Sequence, residues 1–208
     1  MRYDNIFFRR MIFVGLLLSF GFLQAQQQKG GWELALSKDG IKVYTRKANN
    51  QRIKEFKAIT TIQAPIDTIL PYLLDVPGYV EWMNAVKEAK MLRKEENVFY
   101  SYSVAALPWP FDDRDQVAKT TVEKDTLTGQ VVCNIEVMKE GYPEDKKKVR
   151  IKEGFGHWLL KENDSTSTVV EYRFYADPGG NLPEGIVNMF IEESPFKTLK
   201  ALREKIER

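Results

Sequence analysis

The sequence predicts an α+β domain in which a series of antiparallel strands is closed by a long C-terminal helix. Three observations predict it. Apolar and polar residues alternate with period two through most of 41–62 and 86–176, the spacing of half-buried strands. Two short stretches between those blocks, Ile66 to Leu74 and Asp75 to Trp82, show helical spacing instead. From Pro183 onward, Ile186, Met189, Phe190, Phe196, Leu199, Leu202 and Ile206 form one broad amphipathic stripe. Strands in series followed by a helix indicate α+β, because α/β units would alternate the two.

The elements follow in order. Trp32 to Leu36 reads as one or two helical turns, and Lys38-Asp39-Gly40 as a turn into a strand from Ile41 to Arg46. Asn49-Asn50 marks the next turn. Phe56, Ala58, Thr60 and Ile62 share one face of a second strand. Pro65 opens the first helix, and Pro71 inside it predicts a kink or two short pieces. About six strands follow. Val98, Tyr100, Tyr102 and Val104 share a face of one, and Arg114, Gln116, Ala118, Thr120 and Val122 share a face of another. Val131, Cys133, Ile135 and Val137 form a third apolar face. Val149 to Leu160 reads as a single long strand bent at Gly154 and Gly156. Val170, Tyr172, Phe174 and Ala176 face inward on the last strand. Pro195 is expected to kink the final helix.

The 208 residues suit one domain behind a leader. Arg2, Arg9 and Arg10 precede an apolar run from Met11 to Leu23, and Leu23-Gln24-Ala25 resembles a small-residue cleavage site. Residues 1–25 therefore read as a signal peptide, and residues 26–208 as the mature domain, exported to a periplasm or the extracellular space. The apolar run falls short of the ~20 residues of a membrane span, although an uncleaved anchor is the alternative. No cysteine lies near the site, which excludes lipoprotein processing. Cleavage removes three arginines and Asp4, taking the formal charge from +2 to zero. A neutral domain without a basic patch argues against nucleic acid as a partner.

Chemistry-bearing residues are few. Cys133 is the one cysteine, so no intramolecular disulfide is possible, and its place on an alternating strand makes it a core thiol. His157 is the one histidine, which excludes a paired-histidine zinc site and leaves it structural rather than catalytic. Asp112, Asp113 and Asp115 read as solvated charge at a strand start. No metal and no cofactor is called for. Arg114 faces the interior with uncharged neighbours and needs a partner. That partner is a carboxylate, a carbonyl or the head group of a ligand, and the structural reading is an ion pair that ties down the Trp109-Pro110 connection.

Several segments, in order and spacing, resemble the START domain, the steroidogenic acute regulatory protein-related lipid transfer family. They are Trp32 with Asp39-Gly40-Ile41-Lys42-Val43-Tyr44, Phe56-Lys57-Ala58, Glu81-Trp82, and Pro108-Trp109-Pro110 with Arg114-Asp115. Gly156-His157-Trp158 and Asp177-Pro178-Gly179-Gly180-Asn181-Leu182-Pro183 complete the set, over Trp32 to Ile206. The resemblance implies a helix-grip fold, a curved antiparallel sheet wrapped around the long C-terminal helix. It implies an apolar cavity for one lipid or sterol-like molecule, bound by a monomer with transient membrane contact. On residues alone, a solid core that absorbs the aromatics is the first reading. With the resemblance, Tyr100, Tyr102, Arg114, Tyr172, Phe174, Ile186, Met189 and Phe190 are the expected ligand contacts. The alternative within the same superfamily is a cyclase- or hydrolase-like enzyme. It would need His157, Asp115 or Arg114 as acid or base inside the cavity.

Overall fold

The chain opens on a β-hairpin in the computed structural model, which describes residues 31–47 and 53–208. β1 (Glu33–Lys38) pairs antiparallel with β2 (Ile41–Arg46). The connecting Asp39 and Gly40 have φ of 51° and 73°. Two positive φ angles in a two-residue turn match the natural twist of a hairpin. The helical turns expected over Trp32 to Leu36 do not form. Pairing with β2 satisfies the same backbone groups, and Leu36 packs on the core from the strand. The expected signal peptide and the Asn49-Asn50 turn lie outside the described residues.

β3 (Glu55–Ile62) leads to α1 (Ile66–Leu74), which begins directly after Pro65 and buries Ile69 and Leu73. α1 continues through Pro71 as one helix rather than two pieces. Only a single turn of the next expected helix forms, α2 (Tyr79–Trp82). Seven strands follow: β4 (Val86–Glu95), β5 (Val98–Ala105), β6 (Asp113–Lys124), β7 (Val131–Met138), β8 (Lys148–Arg150), β9 (Gly154–Asp164) and β10 (Ser167–Ala176).

The sheet order is β1-β2-β3-β10-β9-β7-β6-β5-β4, antiparallel throughout, with β8 added parallel to the start of β6. The pairing of β3 with β10 joins the first hairpin to the end of the strand series. Val149 to Leu160 is thus two strands rather than one bent strand. The break falls where Arg150 turns to a buried partner on β6. Within β9, Gly156 lies under Phe174. A Cβ there would come within 2.1 Å of the Arg173 carbonyl oxygen, so glycine alone permits this close approach.

The C-terminal segment has two unlike halves. α3 (Glu184–Asn188) buries no residue, whereas α4 (Ser194–Ile206) buries Leu199 and Leu202 completely against β2 and β3. Between them, Met189–Glu193 is a π-helical turn, in which the Ser194 N–H donates to the Met189 carbonyl. Pro195 supplies the cause. It has no N–H, and its ring crowds the carbonyl four residues back, so the chain widens ahead of it into the π-helical turn.

Candidate functional site

The concave face of the sheet and the C-terminal segment enclose a cavity of about 190 Å³. Strand alternation decides which side chains reach it. From β6 these are Arg114, Gln116, Ala118 and Thr120, as the sequence predicts. From β10 they are Tyr172, Phe174 and Ala176, and from β9 Trp158. The Trp158 and Tyr172 rings stack at 3.9 Å and 3°, and Phe56 meets Tyr172 edge-on at 5.0 Å. Offset and edge contacts of this kind form a rigid apolar floor. Tyr79 and Tyr172 lie in the wall, and burial pushes both phenols above their ordinary pKa. Tyr79 donates to the Leu73 carbonyl at 2.6 Å.

Tyr100 and Tyr102, expected as ligand contacts, lie on the other side of β5. Ser101, Ser103 and Ala105 face the cavity in their place. Both faces of β5 are covered, so alternation alone does not reveal the inner one. The loop after β7 carries Tyr142 over the outer face, where its ring stacks on Tyr102 at 4.1 Å. Small residues on the inner face leave the space that the cavity occupies. The roof differs too. Phe190 lines the cavity as expected, but Leu182, Val187 and Ile191 accompany it rather than Ile186 and Met189. A π-helical turn, Met189–Glu193, lies within the stripe.

Arg114 is 6% exposed. Its guanidinium donates to three carbonyls: Nε to Pro178 at 3.0 Å, Nη2 to Gly179 at 3.3 Å, and Nη1 to Asp112. Among the described residues it has no ion-pair partner, so the structural carboxylate considered from the sequence is absent there. Burial holds its pKa below the usual arginine value, against the smaller opposing field of Asp112 and Asp113. Asp113 itself is turned away, to Lys87 and to the Leu107 N–H at 3.1 Å.

The next residue has the opposite environment. Asp115 is 1% exposed and binds Arg150 through two bonds of 2.9 Å, while the Tyr102 hydroxyl donates to it at 3.2 Å. Donating to the Asp115 carboxylate also holds the Arg150 pKa above its usual value. The solvated acidic group expected from the sequence is therefore, at Asp115, a buried ion pair. It lies on the far face from the cavity. The Arg150 carbonyl contacts, to Tyr142 and Pro143 at 3.1 Å each, fasten the covering loop.

His157 lies outside the cavity as well, between strands on the outer face, with Nε2 3.1 Å from Glu171. Cys133 is buried in the main core, and burial pushes its thiol up to about 12. Among the described residues, the cavity wall holds no aspartate, glutamate, histidine or cysteine.

A family model described as the START domain matches residues 21–208. The chain belongs to the START-domain family. An uncharacterised protein of Pseudomonas aeruginosa is 34% identical over 177 residues, covering 85% of this chain and 87% of that protein. The crystal structure of a STAR-related lipid transfer protein fragment from Xanthomonas axonopodis superposes with a TM-score of 0.79 at 34% identity. It covers 86% of this chain and 99% of the fragment. The phosphatidylcholine transfer protein of Rattus norvegicus is 23% identical over 162 residues, 76% of this chain and 75% of its own. The curved sheet gripping a C-terminal helix is thus the START architecture, as the sequence predicts. A Streptomyces aromatase/cyclase shares the fold at a TM-score of 0.53 and 16% identity, covering 74% of this chain and 93% of its own. START-type architecture therefore does not decide chemistry, and the side chains of this START domain must.

Proposed function

We propose that the protein binds one lipid-class molecule in the cavity and carries it between membranes, without catalysing a reaction on it. The observation that carries this reading is the wall itself. Stacked aromatics form the floor and Leu182, Val187, Phe190 and Ile191 the roof. Apolar burial of a chain in such a site is favourable by ~25 cal/mol per Å². The titratable side chains of the wall are Lys54, Arg114 and two buried phenols, so none offers the base that a cyclase or hydrolase needs. Tyr172, Phe174 and Phe190 contact the bound chain.

At about 190 Å³ the cavity is smaller than the ~300–1,000 Å³ usual for ligand pockets. A lipid therefore enters by displacing the roof. Gly179 and Gly180, at φ 66° and 62°, precede α3, which has no buried residue to hold it. They are the hinge of this motion, and α4 stays seated.

Trp109 is 92% exposed between Pro108 and Pro110, on the loop that also gives Leu107 to the wall. Tryptophan favours the membrane interface, so this tip makes the transient contact with a bilayer. Export behind a signal peptide removed after Ala25 puts the carrier in a periplasm or outside the cell. N-terminal sequencing from the native host should read Gln26, and Met1 on cytosolic protein would overturn export.

The test of function is uptake. Delipidated protein is mixed with vesicles containing a fluorescent phospholipid and a fluorescent fatty acid, then separated by flotation. One labelled molecule per soluble protein is expected. Absence of label in the soluble fraction at equimolar protein would reject the carrier reading.

A further inference from the structure

Among the described residues, four charged side chains are buried: Glu55, Arg114, Asp115 and Arg150. Three of them sit in ion pairs. Asp115 holds Arg150, and Glu55 accepts from Arg46 at 2.6 Å and Arg173 at 2.8 Å. Arg114 is the exception, and it is also the one of the four that lines the cavity. A buried charge is expensive to leave unpaired, and carbonyl dipoles solvate a guanidinium without neutralising it. The nearby acids do not supply the missing charge. Asp113 is committed to Lys87, and Asp112 is exposed outside the wall. The second cation of the wall, Lys54, is 42% exposed and lies 3.5 Å from Glu33.

We propose that the ligand is an anionic amphiphile whose carboxylate or phosphate head group binds Arg114, a proposal that rests on the carrier reading above. The guanidinium fork matches either anion bidentately, which an alcohol or sterol hydroxyl cannot do. A zwitterionic head group fits less well. It brings its own cation into a wall that, among the described residues, has two cations and no acid, and the Trp158 face that would receive such a cation is stacked on Tyr172. The guanidinium donates to Pro178 and Gly179, so a head group on Arg114 acts directly on the hinge of the roof. Charge recognition and roof position are thereby joined.

The test compares four probes of equal chain length on the delipidated full mature protein by calorimetry at pH 8: dodecanoate, dodecyl phosphate, dodecanol and dodecylphosphocholine. Both anions are expected to bind at least about tenfold tighter than the other two, the size of one charge-assisted hydrogen bond. Arg114→Gln should weaken the anions to the level of dodecanol and leave dodecanol within about twofold, whereas Arg114→Lys should keep part of the preference. Dodecanol or dodecylphosphocholine binding the wild-type protein as tightly as dodecanoate would overturn the proposal and leave the carrier reading intact. Failure of all four to bind would overturn the carrier reading itself. The wild-type comparison decides even if Arg114→Gln does not fold. Hydrogen exchange reads the coupling: 177–188 should differ between the dodecanoate and dodecanol complexes, and identical exchange would remove the link to the hinge.

Discussion

Arg114 and Asp115 are neighbours on β6, and alternation sends them to opposite faces of the sheet. On the outer face, Asp115, Arg150 and Tyr102 form a closed network in which each charge has its counter-charge and a loop covers the whole. On the inner face, Arg114 is as well buried but, among the described residues, meets only carbonyl oxygens. Equal burial thus separates two kinds of charge. A paired one fastens a loop. An unpaired one facing a void is the site proposed for the head group of a ligand.

The comparison is broken most severely from the outer face. Asp115→Ala leaves Arg150 buried without a counter-charge, and a loss of about 3–5 kcal/mol is expected in urea unfolding. A loss under about 1 kcal/mol would show that the network is not the fastening. The floor of the inner face comes next. Gly156→Ala forces a methyl group against the Arg173 backbone and the Phe174 ring, which should cost about 1–3 kcal/mol in the same experiment. Arg114→Gln sharpens the contrast. It removes carbonyl bonds but also relieves an unpaired buried charge, so stability should stay within about 1 kcal/mol while anion preference is lost. A destabilisation equal to that of Asp115→Ala would assign Arg114 the same fastening role. Smallest of all is Trp109→Ala, which touches neither face. Its unfolding free energy should move by less than about 0.5 kcal/mol, while flotation with vesicles falls.

Period two made the strands legible, and on β6 it gave the inner face correctly, because Gln116 and Ala118 mark the side that Arg114 shares. On β5 the same reasoning chose the wrong side. There the bulky residues Tyr102 and Val104 are buried under a distant loop, and the cavity lies against Ser101 and Ser103. A void leaves no periodic trace, since small residues beside empty space look like small residues beside solvent. The Asp115–Arg150 pair spans 35 positions, and nothing local in the sequence joins them. The roof was legible as an amphipathic stripe but not in its phase. Ile186 and Met189 fall off the lining side, which carries Val187, Phe190 and Ile191.

That phase has a geometric origin worth following. Each helical residue turns the chain by about 100°, and the π-helical turn at Met189–Glu193 holds one residue more than an α-helical turn needs. α3 is therefore rotated against α4 by that extra step. The rotation helps set which residues of α3 face the ligand space. Deleting one residue within the turn would leave α4 seated on β2 and β3 yet swing α3 around its own axis, presenting a different set of side chains. The spacing between Pro183 and Pro195 acts as a dial: insertion or deletion there changes what the guest meets overhead while every residue of the floor stays the same.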